Sequence, residues 1–86
     1  MVEEEESLDN IKYLLGNMGM DILFAIGDGA KDFETIKIFS GLPIICIKGR
    51  IPVLMELKLA NKIKEEFYLT KKGLEVKKKI SSIKKR

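Results

Sequence analysis

The sequence contains no histidine, no tryptophan and a single cysteine, Cys46. A zinc site built from cysteine and histidine within one chain is therefore excluded, and so is an intrachain disulfide. No apolar run approaches the ~18 residues that a membrane-spanning helix needs. Residues 1–6 are acidic and lack the apolar core of a signal peptide. These absences predict a cofactor-free protein of the cytoplasm that does not enter a membrane.

The size and composition predict a single folded unit. The 86 residues leave no room for a second core, and the hydrophobic fraction of 45% is sufficient for one. Charged residues make up 34% of the chain and provide a well-solvated surface. We predict an acidic, flexible segment over residues 1–6 and one domain over residues 7–86.

The net charge of +3 conceals a strong asymmetry along the chain. Residues 1–35 carry nine acids and two bases, whereas residues 36–86 carry four acids and fourteen bases. A basic half suggests a polyanion as the partner, although positive charge also serves solubility.

The first third of the chain predicts a helix with a break. Ser7 is a suitable N-cap, and apolar residues then recur at helical spacing over the next three turns. Gly16 and Gly19 each cost about 1 kcal/mol relative to alanine inside a helix, so we expect a break or bend there. Residues 20–26 fit a second, buried helical block, and the Gly-Asp-Gly sequence at 27–29 ends it as a turn.

Residues 32–57 predict two helices joined by a tight turn. Asp32 is a good N-cap for the first helix, and Gly41 supplies the left-handed residue that ends it. Pro43 falls in the first turn of the second helix, whereas Pro52 is expected to kink or split that helix. The expected apolar stripe consists of Phe33, Ile36, Phe39, Leu42, Ile47, Ile51, Leu54 and Leu57.

The segment 59–70 predicts a β-hairpin. We expect strands over residues 59–64 and 67–69, the second of which is aromatic and apolar as strands prefer. Glu65 and Glu66 are expected at the tip of the hairpin.

The end of the chain predicts one more helix, over residues 71–85, with Thr70 as its cap. The predicted fold class is therefore mostly α with a small β-hairpin (α+β). It consists of a helix-turn-helix over residues 32–57, a hairpin over 59–70, and flanking N- and C-terminal helices. The expected apolar edge of the last helix is Leu74, Val76, Ile80 and Ile83.

Two stretches carry a family resemblance. Gly41-Leu42-Pro43 stands at the helix-turn-helix corner, and residues 67–73 read Phe-Tyr-Leu-Thr-Lys-Lys-Gly. With this spacing the chain resembles the winged helix-turn-helix regulators, especially the small MarR-like ones of archaea and their viruses. In that family the hairpin, called the wing, ends in Tyr-x-Leu-Thr-x-x-Gly. The resemblance extends upstream to residue 21.

The chain departs from the family pattern in three places. Lys58 takes the place of the usual glycine between the second helix and the hairpin. The hairpin tip is short and carries Glu65 and Glu66, where the family usually has bases. The exposed side of the second helix has Ile44-Ile45-Cys46 in place of the hydrogen-bonding residues that commonly read bases.

The resemblance implies a transcription regulator that binds double-stranded DNA, with the helix from Pro43 entering the major groove. Lys48 and Arg50 would contact phosphate or guanine, and Ile44 or Ile45 a thymine methyl group. The lysines of the hairpin and last helix would contact the DNA backbone. The candidate DNA-binding residues are Ile44, Ile45, Lys48, Arg50, Lys62, Lys64, Lys71 and Lys72.

Two alternatives stay open for the apolar residues at the start of the second helix. Ile44 and Ile45 could form the surface of a protein–protein interaction module built on the same fold, or they could pack inside the protein.

We predict no enzymatic activity, because the sequence lacks histidine, a nucleophile with a base at motif spacing, and a phosphate-binding loop. We expect a homodimer formed through the N- and C-terminal helices, whose apolar edges exceed the needs of one small core. The alternative is that these two helices pack on each other within one chain.

Overall fold

The fold combines four helices with one antiparallel hairpin in a computed structural model that describes residues 7–84. The predicted fold class, mostly α with a small β-hairpin and flanking helices, is confirmed. The flexible segment predicted over residues 1–6 and residue 85 of the predicted last helix lie outside the described residues. The elements are α1 (Leu8–Gly27), α2 (Phe33–Ser40), α3 (Ile44–Glu56), β1 (Ala60–Ile63), β2 (Glu66–Leu69) and α4 (Lys71–Lys84).

Helix α1 is bent where the sequence predicts a break. The Ser7 hydroxyl accepts a hydrogen bond from the Asn10 N–H at 3.1 Å, which confirms the predicted N-cap. Gly16 has φ 69° and ψ 178°, a conformation outside the helical region that glycine adopts without a steric penalty. Gly19 keeps the helical conformation and is buried, so the bend is confined to Gly16.

The turn between α2 and α3 follows the predicted chemistry. The Asp32 carboxylate accepts a hydrogen bond from the Thr35 N–H at 2.8 Å, and this bond lowers the pKa of Asp32. Gly41, at φ 76°, donates its N–H to the Lys37 carbonyl at 2.8 Å and ends α2. The two helices are bent by 102° relative to each other. We call residues 41–43 the corner.

Helix α3 differs from the expectation in two details. Pro43 is the N-cap residue, one position before the first turn. Of the kink or split expected at Pro52, the split does not occur: α3 runs without interruption over Ile44–Glu56. Pro52 lies on the exposed side of α3, where its ring meets solvent.

The hairpin has a tighter tip than the sequence suggested. Ile63 pairs with Glu66, so Glu66 is the first residue of β2 and not a tip residue. The tip is the two-residue turn Lys64-Glu65, with φ 49° and 70°. Two successive positive φ angles are typical of the turn that matches the twist of paired strands.

The turn that follows α3 contains a lysine in the left-handed backbone conformation. Lys58 has φ 65°, and it donates its N–H to the Met55 carbonyl, while the Leu59 N–H reaches the Leu54 carbonyl at 2.9 Å. This bond pattern is the Schellman motif, whose left-handed position is usually glycine. Lys58, which stands where the winged helix-turn-helix regulators usually have glycine, therefore has the positive φ that glycine favours. We call residues 57–59 the elbow.

Residues 70–73, the closing segment, hold the elbow in place. The Thr70 hydroxyl donates to the Lys58 carbonyl at 2.6 Å and accepts from the Gly73 N–H at 3.0 Å, so it also caps α4 as predicted. The Thr70 N–H donates to the Leu59 carbonyl at 2.9 Å. A Cβ atom on Gly73 would overlap that same carbonyl oxygen. The Leu-Thr-Lys-Lys-Gly sequence thus stabilises the elbow at the end of α3 through hydrogen bonds and close packing.

The core lies between α1 and the other elements. α1 packs against α2, α3, α4 and β2, and it buries Leu15, Ile22 and Leu23 completely. Two predicted core positions are wrong, because Phe39 is 50% exposed and Leu74 is 52% exposed. The side chain of Ile83 lies outside the described part. The predicted stripe residues that are fully buried or nearly so are Ile36, Ile47, Ile51, Leu54, Val76 and Ile80.

Candidate nucleic-acid interface

Helix α3 separates cleanly into a buried and an exposed side. Ile47, Ile51 and Leu54 face the core. Ile45, Gly49 and Pro52 recur at helical spacing on the opposite side and are exposed, and we call these three residues the outer face of α3. Ile45 is 79% exposed, which is an unusual position for a large aliphatic side chain.

The predicted contact residues of α3 are not equally accessible. Ile45 and Lys48 are exposed, whereas Ile44 and Arg50 are half-buried. Ile45 therefore does not pack inside the protein, and Ile44 does so only in part. The Lys48 ammonium lies 5.4 Å from the centroid of the Phe33 ring, within the range of a cation–π contact.

The hairpin carries its bases next to acids. The Lys62 ammonium lies 3.6 Å from a carboxylate oxygen of Glu65, and Lys64 is exposed at the tip. Glu66 accepts a hydrogen bond from the Tyr68 hydroxyl at 2.6 Å, and this bond raises the pKa of Tyr68. An exposed ion pair is worth little, so Lys62 can exchange Glu65 for another anion at small cost.

An aromatic pair joins the hairpin to the helix-turn-helix. The Phe33 and Phe67 rings meet edge to face with centroids 5.4 Å apart. Lys48 lies over Phe33, and the Lys62 ammonium lies 5.8 Å from the centroid of Phe67. Cations from α3 and from β1 are therefore brought to the two rings of one aromatic pair, although they are fourteen residues apart in sequence.

Lys31 belongs to the same region and was missed by sequence reasoning. Its carbonyl accepts a hydrogen bond from the Phe67 N–H at 2.9 Å, and its ammonium lies 5.3 Å from the centroid of the Tyr68 ring. Both contacts are to residues far along the chain, so the local sequence contains no signal for them.

The two candidate lysines at the start of α4 have different surroundings. Lys71 is exposed. The Lys72 ammonium donates to the Leu57 carbonyl at 2.9 Å, so it satisfies a backbone oxygen at the elbow. Lys72 therefore contributes to the fold, a role that the sequence did not reveal.

Large apolar side chains are exposed on both sides of the corner. Ile38 is 76% and Phe39 is 50% exposed at the end of α2, and Ile45 follows in the first turn of α3. A second apolar surface is a shallow groove of about 300 Å³ between α1 and the end of α3, lined by Leu14, Pro52, Val53, Glu56 and Leu57.

Comparison with known proteins finds no family model that matches this chain, and no similar protein among those with curated functions. Within residues 7–84, no single helix is long and apolar enough to cross a membrane. α2 and α3 reach that length and hydropathy only together, as the bent pair described above.

Proposed function

We propose that the chain is a double-stranded-DNA-binding transcription regulator of the cytoplasm, with a winged helix-turn-helix whose α3 enters the major groove. The geometry of the corner carries this proposal. Helices that meet at ~90–120° across a short turn containing glycine form a helix-turn-helix, the motif whose DNA-binding form places its second helix in the major groove. The 102° bend, the left-handed Gly41 and the accessible side of α3 satisfy that description.

The distribution of charge supports a phosphate backbone as the partner. Lys48 on α3 and Lys62 on β1 flank the Phe33–Phe67 pair, so both can approach one strand of a duplex. Arg50, Lys64 and Lys71 add positive charge on α3, at the hairpin tip and at the start of α4. Contacts of this kind supply affinity that depends on salt and fix the orientation of the protein.

Binding to a mixed-sequence duplex across a salt series tests the proposal. We expect the logarithm of the association constant to fall linearly with the logarithm of salt concentration, because bound counterions are released. Lys48→Ala and Arg50→Ala should each weaken binding, and each should reduce the slope by about one if its contact is to phosphate.

Lys79→Ala is the matched control, because Lys79 is an exposed lysine on α4 that is not one of the candidate contact residues. It should leave the slope unchanged if α3 makes the contacts. Absence of binding at ~50 mM salt, where electrostatic association is strong, would contradict the proposal.

A protein-interaction module is the second candidate, and the exposed residues Ile38, Phe39 and Ile45 favour it. Large apolar side chains exposed close together in sequence are a feature of surfaces that bind partners. In that case Ile45, with the half-buried Ile44, would contact a partner protein, and Ile45→Asp would abolish that association. The lysine variants would then have little effect.

Homodimer formation through α1 and α4 is part of the proposal. Ile11 and Leu15 of α1 and Val76 and Ile80 of α4 are buried within the single chain, so the two helices also pack on each other. Tyr13 at 84%, Leu14 at 43% and Leu74 at 52% exposure remain as apolar surface for a second copy. Sedimentation equilibrium should give a mass of twice 9.8 kDa, and a single species at 9.8 kDa would contradict the dimer.

A further inference from the structure

The accessible side of the first part of α3, residues 44–52, offers almost no groups that read a base by hydrogen bonds, and the exposed carboxylate on the same side, Glu56, lies in the last turn. Residues 44–52 contain no Asn, Gln, Ser, Thr, Asp or Glu. The outer face itself consists of an isoleucine, a glycine and a proline. In the major groove, the feature that apolar side chains recognise is the thymine methyl group.

We infer that the outer face of α3 recognises thymine methyl groups in A·T-containing duplex DNA. This inference rests on the proposed DNA-binding function and names the chemistry that the site reads. Ile45 is the reading residue, because it is 79% exposed while Ile44 is half-buried. A methyl group that leaves water against this side chain contributes hydrophobic free energy without any hydrogen bond.

Gly49 supports close approach of the duplex. It lies in helical conformation, and a Cβ atom added there would meet no atom within 4 Å among residues 7–84 outside its neighbours and the nearby backbone of α3. Neither backbone geometry nor internal packing therefore requires a glycine at this position, although glycine weakens the helix. The missing side chain leaves a shallow depression between Ile45 and Pro52, one turn from each.

The surrounding charge matches a nucleic acid better than an apolar protein partner. Lys48 is the next exposed side chain along α3, and it shares the Phe33–Phe67 aromatic pair with Lys62 of the hairpin. An apolar strip with cations beside it is complementary to a groove floor of methyl groups with phosphates at its edges.

The test compares two duplexes of alternating adenine and thymine, one of them with deoxyuracil in place of every thymine. The two differ in the groove only by the methyl groups. We expect the protein to bind the thymine duplex more tightly by about fourfold for each methyl contacted, the fold-change equivalent of ~0.8 kcal/mol.

Two variants on α3 test which residues cause the difference between the duplexes, and a third variant on α2 is the control. Ile45→Ala should bring the affinity ratio of the two duplexes close to one. Gly49→Ala should raise the thermal unfolding midpoint but weaken binding to both duplexes by about tenfold, because the added methyl blocks close approach. Ile38→Ala removes a side chain that is equally exposed but lies on α2, and it should keep the wild-type ratio.

Equal affinity of the wild-type protein for both duplexes would overturn the inference while leaving DNA binding intact. A ratio that Ile45→Ala does not change would overturn it as well. Absence of binding to either duplex at low salt would instead contradict the proposed function itself.

Discussion

Helices α2 and α3 end in the same backbone conformation but with different residues. Gly41 with φ 76° follows α2 directly, and Lys58 with φ 65° follows α3 after the C-cap residue Leu57. Glycine adopts this conformation without a steric penalty, whereas the Cβ atom of a lysine costs ~1–2 kcal/mol there. Glycine itself therefore accounts for the left-handed conformation at the corner. At the elbow, the lysine does not favour this conformation, so other residues must stabilise it.

The bonds around the two sites show what stabilises the elbow. Gly41 makes a single backbone bond to the preceding turn. The closing segment donates three hydrogen bonds to the elbow, and the carbonyl oxygens of Leu57, Lys58 and Leu59 accept them. A strained conformation persists where the surrounding structure over-determines it, and here the closing segment does so from eleven to fifteen residues away.

The largest expected effect comes from Gly73→Ala. The new Cβ atom would overlap the Leu59 carbonyl oxygen, so the closing segment would have to move away from the elbow. We expect a loss of ~3 kcal/mol or more in the free energy of unfolding, measured by urea denaturation.

Gly49→Ala is the matched control for that substitution, because its site is open and helical. It should stabilise the protein by ~0.5–1 kcal/mol. If both alanine variants had similar stability, close packing of the closing segment against the elbow would be refuted.

Thr70→Val should have an intermediate effect. The substitution keeps the shape of the side chain but removes the hydroxyl that donates to the Lys58 carbonyl and accepts from the Gly73 N–H. We expect a loss of ~1–2 kcal/mol in the free energy of unfolding, with an unchanged denaturant slope. Thr70→Ser retains both bonds and should remain close to wild type; equal losses in the two variants would show that the hydroxyl is not responsible.

The smallest effects on stability should come from single substitutions at the two positions with left-handed backbone conformation, Gly41 and Lys58. Lys58→Gly relieves the backbone strain and should raise the free energy of unfolding by ~0.5–1 kcal/mol, whereas Gly41→Ala should lower it by ~1 kcal/mol. Lys58→Ala keeps the Cβ atom and should change little, which separates the backbone effect from the charge. Thermal unfolding measures all three, and a destabilised Lys58→Gly variant would show that the lysine side chain itself holds the elbow.

Much of the fold follows from short-range patterns. The caps at Ser7, Asp32 and Thr70 each depend on a side chain that bonds a backbone N–H three residues later, so the sequence is sufficient to predict them. The bend at Gly16 and the end of α2 at Gly41 follow from the conformational freedom of glycine. The exposure of Phe39 and Leu74 could not be predicted, because helical periodicity defines a face but not what covers it.

The candidate site depends more on tertiary structure than the fold does. The sequence alone determined that α3 carries isoleucines, one lysine and one arginine at its start, since that is a matter of composition. Only the tertiary structure decided that Ile45 is exposed while Ile44 is half-buried, and that Lys72 binds the elbow carbonyl. It also brought Lys48 and Lys62 to the two rings of one aromatic pair. The physical reason is distance along the chain: Lys48 and Lys72 each contact a residue fifteen positions away, and the two rings of the aromatic pair are thirty-four positions apart, so no local preference encodes these contacts.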